Sequence, residues 1–88
     1  MSSLYVYRFC IDRIDDLIYT LLRARFMITT RTILYKYDNR IIDVPREKNI
    51  IQRLGHGSLE KPFVEKLWTL IFSHSKHLQH IFLNQIKP

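Results

Sequence analysis

Polar side chains interrupt the apolar faces of this sequence at four positions, and their types could hold an anion. Read as a helix, residues 4–35 carry a seven-residue apolar repeat that Arg25 interrupts. Glu47 stands on the apolar face of a short middle segment, and Ser75 and Gln79 stand among the apolar residues of the last segment. A buried charge is costly unless a partner compensates it. These groups therefore predict a shared polar pocket in a helical core, or alternatively a single ion pair between Arg25 and Glu47.

Three basic residues of the first segment differ in how they could serve such a pocket. Arg25 and Lys36 are eleven residues apart, so they share one helix face about 16 Å apart and could bracket a metabolite-sized ligand. Arg8 precedes Arg25 by 17 residues, or about 25 Å of helix, and cannot reach the same small ligand from its own chain. Arg8 is therefore either an ordinary solvated arginine or a residue that serves the site of a partner chain.

The first part of the chain predicts one long helix. No glycine or proline precedes Pro45, and the apolar stripe continues to Tyr35, so we expect a helix from about Ser3 to about Tyr37. Such a helix is about 50 Å long, whereas a compact chain of this size has a radius of gyration of only about 12 Å. The helix must protrude with part of its stripe uncovered, which predicts an obligate, intertwined homodimer.

Two further helices are expected after a polar break. Asp43 is the predicted N-cap of a short second helix, because its carboxylate can accept hydrogen bonds from first-turn amides. The run Gly55–Ser58 ends that helix, and a third helix is expected from near residues 58–62 to about Gln85. The predicted fold class is all-α, with a long, a short and a medium helix in each chain.

A β-hairpin is the competing interpretation of residues 33–44, where two short apolar runs flank Asp38 and Asn39. The helical interpretation is preferred because the upstream stripe reaches Tyr35 without a phase break. In that case the polar pair ends the first helix.

Composition limits the class of protein and its partners. The 88 residues suffice for one small domain, residues 1–88, and the formal charge of +6 favours anionic ligands. The apolar runs are too short to cross a bilayer, and the single cysteine and the lack of an export signal predict a cytoplasmic protein. We expect neither membrane nor nucleic acid as a partner. His74, His77 and His80 rotate away from one another along a helix, so no metal site is expected.

The polar residues also form a recognisable set. The pattern R-x(16)-R-x(10)-K, followed by D-x-x-R-E and S-x-x-x-Q, runs through the chain and resembles the all-α chorismate mutases from about residue 7 to about residue 83. The residues that carry it are Arg8, Ile11–Asp15, Leu21–Leu22, Arg25, Lys36, Asp43–Glu47 and Ser75–Gln79. The resemblance implies an isomerase of aromatic amino acid biosynthesis (the shikimate pathway), folded as an intertwined dimer of three-helix chains.

The resemblance also implies a role for each matched residue toward a doubly negative substrate. In the family, the positions matching Arg8 (from the partner chain) and Arg25 hold carboxylates, as does the one matching Ser75. The positions matching Lys36 and Gln79 contact the ether oxygen, and the position matching Lys36 also contacts a carboxylate. The matches to Asp43 and Glu47 engage the ring hydroxyl, and Arg46 builds the pocket wall.

Those roles suit a pericyclic rearrangement. Conversion of chorismate to prephenate needs no cofactor, metal or nucleophile; it needs a substrate held in a reactive shape and donors at the oxygen where charge develops. We expect Lys36 and Gln79 to be those donors, with Arg25 and Glu47 completing the catalytic set. Arg8, Asp43, Arg46 and Ser75 are expected to bind substrate.

Departures from the family pattern leave other activities open. Thr32, Phe72 and Lys76 stand where relatives usually have aliphatic pocket residues, and Lys76 either brings a further charge to the site or extends outward. The sequence leaves open whether the short 37–43 loop closes over a ligand. The alternatives are an isochorismate-pyruvate lyase or aminodeoxychorismate mutase on the same fold. A further alternative is a non-catalytic basic helical dimer that binds nucleic acid or a partner enzyme.

Overall fold

The computed structural model describes residues 3–35 and 41–86 and contains three α-helices in this part of the chain. Helix α1 spans Ser3–Arg31, α2 spans Val44–Leu54 and α3 spans Lys61–Ile86. The predicted long, short and medium helices are confirmed. No strand occurs in the described residues, so the hairpin interpretation is wrong for those of its residues that lie outside 36–40.

Helix α1 ends as an α-helix earlier than predicted. It gives way at Arg31 to a 3₁₀ turn, Thr32–Leu34, instead of continuing to Tyr37, which lies outside the described residues. The Thr30 hydroxyl donates to the Phe26 carbonyl over 2.7 Å, and the Thr32 hydroxyl donates to the Thr29 carbonyl over 2.6 Å. Threonine hydroxyls that bond to carbonyls of the preceding turn weaken and bend a helix. The threonines therefore account for a tighter last turn, where 3₁₀ geometry is common.

Helix α2 begins and ends where the sequence predicted. Asp43 is its N-cap, and its carboxylate accepts a hydrogen bond of 3.2 Å from the Arg46 amide. Pro45 lies in the first turn, where no helical partner for its nitrogen is needed. Gly55 closes the helix, with its amide donating to the Ile51 carbonyl over 2.8 Å. The cap therefore defines the residue at which α2 begins.

The core is small and lies between α3, the end of α1 and α2. Both α1 and α2 pack on α3, and most buried side chains belong to α3. Two polar side chains, Ser75 and Gln79, are buried on the same face of α3 as the apolar residues. The buried apolar side chains are Ile33, Ile50, Val64, Ile71, Phe72 and Leu83.

The first half of α1 has no cover within the described chain. Every residue from 3 to 21 is exposed, and the molecule measures 59 × 29 × 16 Å, with a radius of gyration of 16.8 Å against about 12 Å for a compact chain of this length. The exposed apolar side chains of this half include Leu4, Tyr7, Ile11, Ile14, Ile18 and Leu21. These are the members of the predicted stripe, and they leave an extended apolar surface on one rod.

No helix within residues 3–35 and 41–86 is both long enough and apolar enough to cross a lipid bilayer.

Candidate active site

A cavity of about 310 Å³ opens where the three helices meet. This volume lies at the lower end of the range typical of small-molecule sites. Six of the eight predicted site residues line it: Arg25, Asp43, Arg46, Glu47, Ser75 and Gln79. The inward-facing polar positions therefore converge on one pocket, as the sequence predicted.

The other two predicted residues are not placed in this cavity. Lys36 lies outside the described residues. Arg8 is exposed on the protruding half of α1, about 25 Å along the helix from Arg25. A role for Arg8 at this site therefore needs a second chain.

Arg25 brings a positive charge into the helix interface without an acidic partner among the described residues. Its Nη1 donates to the Ser75 hydroxyl over 3.4 Å, and its guanidinium carbon lies 5.6 Å from the centre of the Phe72 ring. Burial lowers the pKa of Arg25, and the nearby positive charge of Arg46 lowers this pKa further. A guanidinium has five N–H donors, so Arg25 retains donors and uncompensated charge for an anionic ligand.

Glu47 pairs with Lys76 instead of Arg25. The Lys76 Nζ donates to Glu47 Oε1 over 3.2 Å and lies 2.9 Å from Oε2. The predicted alternative of an Arg25–Glu47 ion pair is therefore wrong. Lys76 does bring an extra charge to the cavity, one of the two outcomes that the sequence left open.

Gln79 is held in one orientation by the end of α1. The residue is 4% exposed, and its Nε2 donates to the Thr29 carbonyl over 2.7 Å and to the Thr32 hydroxyl over 3.3 Å. The shorter bond fixes which edge of the amide carries the N–H groups. The longer bond is the weaker of the two and can be exchanged for a ligand acceptor.

The start of α2 contributes the remaining polar wall of the cavity. Asp43 uses its carboxylate to cap the helix, while Arg46 is exposed at the cavity and acts electrostatically on Arg25. With Glu47 and Lys76 included, the described lining carries three cationic and two carboxylate side chains, a net charge of +1. This balance favours an anion, as does the positive end of a helix dipole.

The lining suits binding and orientation of a ligand. The residues that the structure places around the cavity include no histidine or cysteine, and the side chain that contacts the Ser75 hydroxyl is the Arg25 guanidinium, a hydrogen-bond donor that cannot accept the hydroxyl proton. Guanidinium, ammonium and amide groups instead offer donors to carboxylates and to an oxygen that gains charge. The chemistry that this set can supply is electrostatic and orientational.

Two contacts of the site were not predicted from the sequence. The Thr29 carbonyl orients Gln79, but a backbone acceptor leaves no signal in a residue's type. Thr32 was noted only as a departure from the family pattern, although its hydroxyl is the second partner of Gln79. A threonine at an inward position of the predicted helix, close to a predicted polar pocket, is the signal that could have identified this contact.

The family of this chain follows from a comparison with known protein families. A sequence model of the family described as chorismate mutase type II matches residues 7–80. The chain belongs to this family. Comparisons with curated proteins and with solved structures found no significant match. The matched range contains all eight predicted site residues of this chorismate mutase type II chain, including Arg8 on the exposed half of α1 and Lys36, which is outside the described residues.

Arg25→Met should leave the free energy of unfolding unchanged or increased at neutral pH. A lowered pKa means that folding disfavours the charged form of Arg25, so its charge reduces stability at every pH below its unfolded-state pKa, which includes neutral pH. Methionine removes the charge together with the hydrogen bond to the Ser75 hydroxyl and the contact of the guanidinium with the Phe72 ring. Urea unfolding followed by circular dichroism, at one fixed protein concentration, measures the effect.

Ile71→Ala is the matched control for this measurement, because Ile71 is buried on α3 and does not line the cavity. It should lose about 2–5 kcal/mol of stability. A loss above about 1 kcal/mol for Arg25→Met would contradict the conclusion that this charge is held at a cost.

Proposed function

We propose that this chain is a chorismate mutase that rearranges chorismate to prephenate. The observation that carries the proposal is the convergence of Arg25, Glu47, Ser75 and Gln79, from three helices, on one cavity of net positive charge. Membership of the chorismate mutase type II family supports the same activity. Chorismate carries two carboxylates on a small ring compound, which matches the charge and the size of the cavity.

Each predicted site residue has a task in this proposal. Arg25 and Ser75 bind one carboxylate, since the uncompensated guanidinium and the hydroxyl lie together. Gln79 donates to the ether oxygen through the N–H that now bonds weakly to Thr32. The remaining assignments come from the family resemblance: Lys36 to a carboxylate and the ether oxygen, Asp43 and Glu47 to the ring hydroxyl, and Arg46 to the pocket wall.

The reaction requires orientation of the substrate and stabilisation of developing charge, and it needs no side chain that forms a covalent bond to the substrate. Holding the flexible dianion in a reactive shape removes an entropic barrier. As the carbon–oxygen bond breaks, negative charge grows on the ether oxygen, and a donor fixed beforehand stabilises that charge most in a dry site. Gln79 meets this condition because it is buried and its amide is already oriented by the Thr29 carbonyl.

The active unit in this proposal is an intertwined homodimer. The exposed stripe on the first half of α1 gives a second copy an apolar surface to cover, and burial of such a surface drives association. Arg8 lies on this half. We propose that it crosses into the partner's cavity and binds the second carboxylate. Such an enzyme belongs to aromatic amino acid biosynthesis in the cytoplasm.

Gln79→Ala and Lys36→Ala should each lower kcat/KM for chorismate by about 10²–10³-fold, because each removes a donor that acts most strongly in the transition state. Loss of chorismate absorbance in the ultraviolet, with prephenate identified as product, measures the rate. His80→Ala is the matched control, since His80 is the exposed neighbour of Gln79 on α3 and does not line the cavity.

Near-wild-type turnover by either of the two variants would refute its assigned role. A wild-type chain that forms no prephenate but binds DNA with a steep salt dependence would favour the non-catalytic alternative.

Mixing Arg8→Ala chains with Arg25→Ala chains should restore activity that neither variant has alone. If Arg8 acts across the dimer, each mixed dimer has one intact site and one doubly defective site. Random exchange then gives about a quarter of the wild-type activity, because half of the dimers are mixed. The assay is chorismate turnover after the two variants are unfolded and refolded together.

The control mixture combines Arg25→Ala with Gln79→Ala, whose side chains line the same cavity of one chain. No mixed dimer then has an intact site, so this mixture should stay inactive. Absence of recovery in the first mixture, with dimers present in both, would exclude a role for Arg8 across the interface.

A further inference from the structure

We propose that Lys76 determines the specificity of this cavity: together with Glu47 it selects a ring that carries a hydroxyl group over one that carries an ammonium group at the same position. The inference rests on the proposed function and deepens it, because it distinguishes chorismate from its amino-substituted analogue.

An ion pair forms part of the cavity wall. Lys76 of α3 and Glu47 of α2 both line the cavity, with nitrogen–oxygen distances of 3.2 and 2.9 Å to the two carboxylate oxygens. The side chains are 31% and 24% exposed, respectively. They are thus partly sheltered from solvent yet accessible to a molecule that enters the cavity.

The paired groups keep hydrogen-bonding capacity for a ligand. An ammonium group has three N–H donors and a carboxylate about four acceptor positions, so neither is saturated by the other. The pair offers a donor and an acceptor side by side. A hydroxyl group, which both donates and accepts, can satisfy the two at once.

Charge determines which part of the substrate meets this pair. Arg25 has no carboxylate partner among the described residues, whereas the charge of Lys76 is neutralised by Glu47. A ligand carboxylate is therefore attracted to Arg25 and is repelled by the negative charge of Glu47. With a carboxylate of the ligand at Arg25, the ring presents its other polar substituent to the Lys76–Glu47 pair.

An ammonium substituent fits this pair poorly. An alkyl amine is protonated at neutral pH, so it can donate to Glu47 but cannot accept from Lys76. It also lies beside a like charge, which disfavours its binding. Without Lys76, the same ammonium would meet an unpaired carboxylate and be attracted to it. Discrimination therefore depends on Lys76, while Glu47 alone would favour the amino compound.

The test compares kcat/KM for chorismate with kcat/KM for aminodeoxychorismate in the full chain and its variants. The wild-type chain should prefer chorismate. Lys76→Met should reduce that preference by about tenfold or more by improving relative use of the amino compound, and Lys76→Arg should retain it. Lys66→Met is the matched control: it removes one charge from the exposed surface of the same helix and should leave the preference unchanged.

A ratio of the two kcat/KM values that stays unchanged in Lys76→Met would overturn the inference, because a merely structural ion pair lowers both values equally. If that variant does not fold, Lys76→Gln is measured, since glutamine can still donate to Glu47 without a charge. For this variant too, the ratio of kcat/KM for chorismate to kcat/KM for aminodeoxychorismate must fall. A wild-type chain that prefers the amino compound overturns the inference, and one that rearranges neither substrate overturns the proposed function too. A chain that rearranges chorismate with a ratio independent of residue 76 contradicts the inference alone.

Discussion

An arginine that has no acidic partner within residues 3–35 and 41–86 lies between packed helices, and the site depends on how its charge is tolerated. The Arg25 guanidinium contacts a hydroxyl and the face of the Phe72 ring, and both burial and Arg46 disfavour its charged form. A protein built for stability alone would place an apolar side chain there. The charge is retained in a cavity large enough for a small anion, and we propose that ligand binding compensates it.

The irregular end of α1 serves the same cavity. Threonine hydroxyls bond to carbonyls of the preceding turn, and the α-helix changes to a 3₁₀ turn at Thr32. At that change, the Thr29 carbonyl and the Thr32 hydroxyl together hold the Gln79 amide on α3. The feature that shortens the helix therefore also fixes the donor proposed for the ether oxygen. A side chain held in this way needs little reorganisation when charge develops.

Periodicity and capping chemistry made much of this fold and site predictable. Arg25, Ser75 and Gln79 interrupt apolar repeats, so their inward direction followed from helical geometry, and Asp43 followed from the cap preference at a helix start. The Lys76–Glu47 pair was not predictable, because a lysine's flexible stem allows its charge either to enter a pocket or to leave it. The early end of α1 was missed because hydroxyl bonds to the backbone do not change the apolar pattern. In the proposed dimer, the position of Arg8 relative to a cavity depends on a second chain, so one sequence could not define it.

In the proposed function, this cavity binds a dianion through its cations and the Gln79 amide. The most direct measurement is an NMR titration of ¹⁵N-labelled protein with a cyclic dicarboxylate analogue of chorismate that cannot rearrange. The side-chain amide signal of Gln79 should shift saturably, whereas those of the exposed Gln52 and Gln85 should stay in place. Saturable binding that leaves the Gln79 signal unchanged would contradict the account.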